Sequence, residues 1–146
     1  MQENFPKQLF LVGILISVIS VLTNLLFFAF TQALGEKYVV PLTVSPTETG
    51  SIQLVTVILA TFIPAVLATF LYSFLHRIAP NATLPPFLSV AASALLVSFG
   101  GPFELPEVIL QTKLLLSTMH IIAAIIIIGG LIIFHGKDKK ILVFDE

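Results

Sequence analysis

Long apolar runs separated by short polar connections dominate the chain, and four of them stand out, at 9–30, 52–75, 86–99 and 108–134. The first, second and fourth each exceed the roughly 20 residues that a helix needs to cross a hydrocarbon core at about 1.5 Å per residue. The third is shorter, about 14 residues against that requirement, and stops at Gly100, Gly101 and Pro102. Alone it reads as well as a re-entrant piece as a span. The charges between the runs decide for a span. Lys7 precedes the first run, His76 and Arg77 follow the second, and Lys137, Lys139 and Lys140 follow the fourth. The opposite connections carry Glu36, Lys37 and Glu48, then Glu104 and Glu107. Lys and Arg gather on the cytoplasmic side of a membrane, and the three basic groups share a side only if the third run crosses. The pattern therefore predicts an all-α, up-down-up-down transmembrane bundle, one domain over 1–146, with both termini cytoplasmic. Bilayer thinning, with Phe103 and Leu105 in the interface, would accommodate the short third helix.

Local signals refine the boundaries. Thr49, Gly50 and Ser51 offer caps before the second helix, and Pro85 and Pro86 suit the first turn of the third. Gly136 with the lysines after it suits the end of the fourth. Pro64 removes a helix hydrogen bond in mid-span, predicting a bend of more than about 20° and a freed carbonyl at Ala60, which the Thr61 hydroxyl would re-satisfy. The connection 31–50 contains Tyr38-Val39-Val40-Pro41-Leu42-Thr43-Val44, an extended run over the outer mouth in which Pro41 bars a regular central strand. Gln53 and Gln111 open the second and fourth helices and His76 and His135 close them, a faint sign of repeated hairpins. The run 9–30, about 22 residues, is too long for the 7–15 of a signal core and reads as a retained helix.

Composition narrows the function classes. The chain is 57% hydrophobic and only 10% charged, against about 25% charged in soluble domains, and its mean hydropathy is +1.07. A net charge of −1 leaves no concentrated basic face for nucleic acid. The absence of cysteine removes disulfides, thiolate nucleophiles and Cys-based metal sites. HExxH, GxSxG, P-loop and GxGxxG motifs are missing, and both aspartates, Asp138 and Asp145, follow the last span. No catalytic set and no metal set emerges. The thirteen phenylalanines, with no tryptophan, fit lipid contact and packing.

His120 is the most informative residue, about 18 Å into the fourth helix from its outer end. Lys113, Ser117, His120 and Ala124 share one helical stripe, which should face the bundle because ionisable groups facing lipid are costly. His120 reads either as a tetrapyrrole ligand or hydrogen-bond donor to a quinone-like carbonyl, or as a structural residue bonded to Asn24, a serine, or a carbonyl freed by Pro64. Lys113 snorkels to the outer interface to meet Glu104 or Glu107, or forms a proton path with His120 and Glu107. The spans hold no carboxylate, which weakens the path and a transporter with it. Ser17, Ser20 and Asn24 share a face of the first helix, and Ser89, Ala92, Ser93 and Ala94 form a small-residue face on the third. Both read as helix–helix packing, as does the Gly129-Gly130 pair.

The chain resembles an uncharacterised bacterial family of small four-helix membrane proteins known only as a domain of unknown function. The likeness rests on Asn24-Leu25, Ala33-Leu34-Gly35 and Val40-Pro41, on Ile63-Pro64-Ala65 and on Gly101-Pro102. Most specific is Thr112-Lys113-Leu114 followed by Met119-His120 and Ala123-Ala124. It spans about residues 10 to 135 and implies the same topology, with no activity attached. The expected protein is a non-enzymatic accessory subunit or lipophilic-ligand-binding bundle of a bacterial inner membrane, with Asn24, Lys113, Ser117 and His120 as candidate ligand-binding residues. A quinone- or tetrapyrrole-handling oxidoreductase is the alternative, and a small transporter a third. Its expected partners are the lipid bilayer and either a larger membrane complex or further copies of the chain. Its cofactor, if it carries one, is unknown.

Overall fold

The computed structural model describes residues 5–42, 45–105 and 108–143, with side chains described over 7–40, 50–105 and 108–136. Helix α1 (Phe5–Ala33) leads to a hairpin of β1 (Val39–Leu42) and β2 (Ser45–Ser51), then α2 (Leu54–Ile78). A 3-10 turn (Pro80–Ala82) precedes α3 (Leu84–Ser98), α4 (Gly100–Glu104) and α5 (Leu110–Val143). Four stretches are long and apolar enough to cross a membrane: Lys7–Ala33, Leu54–Ile78, Leu84–Glu104 and Leu110–Gly136. The chain is thus an all-α four-helix bundle with one small hairpin.

Several boundaries depart from the sequence pattern, each for a local reason. The third span does not stop at Gly100. After one turn residue, Phe99, the chain resumes as α4, with the Phe103 amide donating to the Phe99 carbonyl. Pro102 falls in the first turn of α4, where a missing N–H costs nothing, so α3 and α4 together supply a 21-residue span. The second helix uses no hydroxyl cap. The chain stays extended in β2 through Ser51, and extended Gln53 becomes the N-cap without a side-chain bond. Nor does Gly136 end the last helix, since α5 continues through the lysines to Val143. A glycine ends a helix only where the chain turns left-handed, and that occurs at Gly35 (φ 102°) instead. There the Glu36 amide closes back on the Thr31 carbonyl and ends α1. In β1 Pro41 pairs with Thr49 beside an irregularity, tolerable because a two-stranded ribbon has only edges. Thr43 and Val44 lie outside the described residues.

Helix α1 is the central post, packing most extensively against α2 and next against α5. A Cβ placed on Gly13 would lie 2.5 Å from Thr69 Cγ2, and one on Gly130 2.7 Å from Ile16 Cδ1. The glycines therefore set how closely α1 meets α2 and α5. Close packing of this kind is what holds helices together wherever they lie in lipid, because lipid tails are as apolar as leucine. One core cluster joins Leu9, Ile16, Ala65, Tyr72, Phe87 and Leu131. Another, toward the hairpin, joins Phe28, Tyr38, Val57 and Met119. The small-residue face expected to pack α3 does not do so. Ser89, Ala92, Ser93 and Ala94 are exposed, and α3 is anchored through buried Phe87, making its span the least buried of the four.

Candidate ligand cavity

Between α2, α3 and α5 lies a cavity of about 300 Å³, with Asn24 of α1 on its wall. That is the lower end of small-molecule sites. Its surface is almost wholly apolar, from residues such as Ala68, Ala91, Leu95 and Ile127. Poor packing of α3 creates the space, and small side chains on α2 and α5 preserve it.

Asn24 and Thr61 are 98% and 97% withdrawn from the surface, at 2% and 3% exposure. The Asn24 amide nitrogen donates to Thr61 Oγ1 at 3.0 Å and to the Met119 carbonyl at 3.2 Å, tying three helices together. The Met119 carbonyl can only accept, which fixes which way the amide points. Asn24 Oδ1 is left buried without a hydrogen-bond partner. Thr61 spends its proton on the Val57 carbonyl at 2.9 Å, so it does not re-satisfy Ala60. Helix α2 nevertheless runs unbroken across Pro64. Ala60 and Pro64 both line the cavity, and Pro64 has no N–H to offer the Ala60 carbonyl.

His120 also lines the cavity, half-buried. Its hydrogen bond does not go to Asn24 but to its own helix, Nδ1 to the Leu116 carbonyl at 2.8 Å. The carbonyl one turn back is always within reach, and it was available before any neighbour. Because that carbonyl accepts, Nδ1 carries the hydrogen, and in the neutral ring this tautomer leaves a lone pair at Nε2. This opposes the quinone expectation, which needs a donor at His120.

The other two candidates stand apart. Lys113 Nζ donates to the Phe103 carbonyl at 3.0 Å rather than to Glu104, and Glu107 lies outside the described residues. Ser117 is buried and donates to the Lys113 carbonyl at 2.9 Å. The structure thus brings Asn24 and His120 to one cavity and leaves Lys113 and Ser117 off its wall.

Two further polar clusters close the ends. Near the hairpin, Thr31 donates to the Phe27 and Phe28 carbonyls, so the Tyr38 hydroxyl donates to Thr31 Oγ1 at 2.5 Å. Burial, offset by that bond and reinforced by Glu36, raises the Tyr38 pKa above its ordinary 10.0. Gln111 donates to Glu36 beside it. At the other end, fully buried Tyr72 lies 2.7 Å from His135 Nδ1 and stacks with His76 at 6.1 Å. His76 in the last turn of α2 and His135 of α5 therefore converge on one tyrosine. Sequence reasoning missed Tyr72, although its spacing of four from His76 places the pair on one face of α2.

Among the described residues no group of three His, Asp or Glu side chains is placed to hold a metal ion. A family model described as a family of unknown function, DUF6069, matches residues 6–135. No curated protein and no solved structure matches the chain.

Proposed function

The chain belongs to the DUF6069 family of unknown function, and on that premise we propose that it is an integral membrane protein holding a small lipophilic molecule between α2, α3 and α5. The observation that carries this reading is the apolar cavity with the buried, half-satisfied amide of Asn24 on its wall. An empty apolar cavity costs stability through lost contacts, and an unpartnered buried oxygen costs about 1–3 kcal/mol more. A bound molecule offsets the first, by restoring the lost contacts. The exposed large apolar side chains, among them Leu26, Phe70 and Val97 at 71%, 71% and 78%, support residence in lipid.

Filling the cavity tests the reading. Ala124→Phe, on the cavity wall, should abolish co-purification of a small molecule in mild detergent. Stability should hold or rise by about 1 kcal/mol, as cavity-filling changes often do. Mass spectrometry of the purified protein and its thermal melt supply the two readouts. Undiminished co-purification would place the molecule elsewhere and sink the proposal.

The proposed setting is the inner (plasma) membrane, with both termini cytoplasmic in an up-down-up-down arrangement. Supporting it, Gly13 meets Thr69 while Asn24 meets Thr61, so α1 and α2 run oppositely. Ile16 meets Gly130 while Asn24 meets Met119, so α1 and α5 do too. The start of α1, the end of α2 and His135 thereby share one end with the basic residues Lys7 and Arg77. A C-terminal green fluorescent protein fusion should fluoresce and a C-terminal alkaline phosphatase fusion should be silent. Active phosphatase there contradicts the orientation.

A further inference from the structure

Resting on that reading, we infer that the molecule is an uncharged lipid alcohol, whose hydroxyl donates a hydrogen bond at the depth of His120 and Asn24. The inference follows from which hydrogens are already used. Nδ1–H of His120 is held by the Leu116 carbonyl, leaving a lone pair at Nε2 that no described residue engages. Both hydrogens of the Asn24 amide are spent on Thr61 and Met119, so the amide has no donor to give to the cavity. The Thr61 hydrogen is spent on Val57, and that of Ser98 on the Leu95 carbonyl at 2.7 Å. The Ala60 carbonyl has lost its usual donor to Pro64. None of these groups offers the cavity a free hydrogen, and the acceptor left open to it is the Nε2 lone pair of His120. Only Thr56, in the first turn of α2, has a hydroxyl hydrogen not committed to a described partner, and it sits at the outer end.

A ligand bearing only acceptors, such as a quinone, ketone or ester, would set its oxygen against the Nε2 lone pair. A cation would satisfy it, but no carboxylate lines the cavity to offset a charge withdrawn from water. An anion finds no Lys or Arg on the wall. A neutral hydroxyl on an apolar body meets the hydrogen-bond need and the apolar lining at once.

The test uses the full chain in mild detergent with three probes of one carbon skeleton: geraniol, geranyl methyl ether and geranial. Only geraniol can donate. Binding is read by displacement of a fluorescent fatty alcohol and by thermal shift. Geraniol should bind about tenfold more tightly than the ether or the aldehyde, the factor one net hydrogen bond supplies. In His120→Leu that preference should collapse while affinity for the ether is kept. Equal binding of all three by the native chain overturns the alcohol assignment and leaves the cavity reading standing. Binding of none, at concentrations that saturate the detergent, overturns both. The comparison of probes on the native chain holds even if the variant fails to fold.

Discussion

Asn24→Asp, a change of one NH2 group to oxygen, is expected to destabilise the bundle by about 3–5 kcal/mol, the cost of an uncompensated buried charge. The side chain keeps its size, so no cavity or clash confuses the result. The new oxygen faces the Met119 carbonyl and Thr61 Oγ1 across the 3.2 Å and 3.0 Å that the amide hydrogens now bridge. Attraction between three helices becomes repulsion. Asn24→Leu provides the contrast. It forfeits two interhelical hydrogen bonds, worth about 0.6 kcal/mol each within a membrane, but also removes the orphaned Oδ1. Its net cost should stay within about 1 kcal/mol. Unfolding titrations in mixed micelles measure both, and an Asn24→Asp variant as stable as Asn24→Leu would refute this picture of the junction.

The other large effect lies at Gly13. Gly13→Leu should cost more than about 3 kcal/mol, beyond the 1–3 of ordinary overpacking, with Gly13→Ala inside that range. The obstacle is Thr69, whose Cβ, Oγ1 and Cγ2 lie 3.2, 2.9 and 2.5 Å from the added carbon. That side chain is stiff about χ1 and pinned by its bond to the Ala65 carbonyl at 2.9 Å. It cannot swing aside without giving up that bond, so α1 and α2 must separate. Gly129→Ala is the matched control. Nothing lies within 4 Å of a Cβ there, so the better helix propensity should leave stability unchanged or raised by up to about 1 kcal/mol. Equal thermal melts for Gly13→Leu and Gly129→Ala would show that the close approach does not matter.

The spans were legible in the sequence because hydrocarbon demands long uninterrupted apolar helices, and hydropathy alone reports that. The buried face of α1 was legible too. Ser17, Ser20 and Asn24, at 0%, 0% and 2% exposure, face inward as their spacing requires. What each polar group bonds to was not. A hydroxyl has one hydrogen, and the carbonyl one turn back is always nearby. Ser17, Thr61, Thr69 and Ser117 all close on their own helices, and His120 follows the same rule. The amide of Asn24, with two hydrogens, reaches across to two neighbouring helices at once. Helix ends were read poorly where glycine stood for a stop. Gly100, Gly101 and Gly136 all lie within helices. The cavity was invisible in the sequence, because it comes from how little of α3 is packed against the other helices.

The slack seating of α3 also fixes the concentration scale on which a ligand is measured. On the proposed reading, a wall held mainly by Phe87 would give way sideways more readily than the α1–α2 seam held at Gly13, and exchange would then proceed from the surrounding hydrocarbon without passage through water. A lipophilic guest is then in equilibrium with its own solution in the membrane or micelle. Its occupancy follows its mole fraction among the lipids. Doubling the detergent at constant total ligand halves that mole fraction, and the apparent aqueous Kd should double with it while the true partition between cavity and bilayer stays constant.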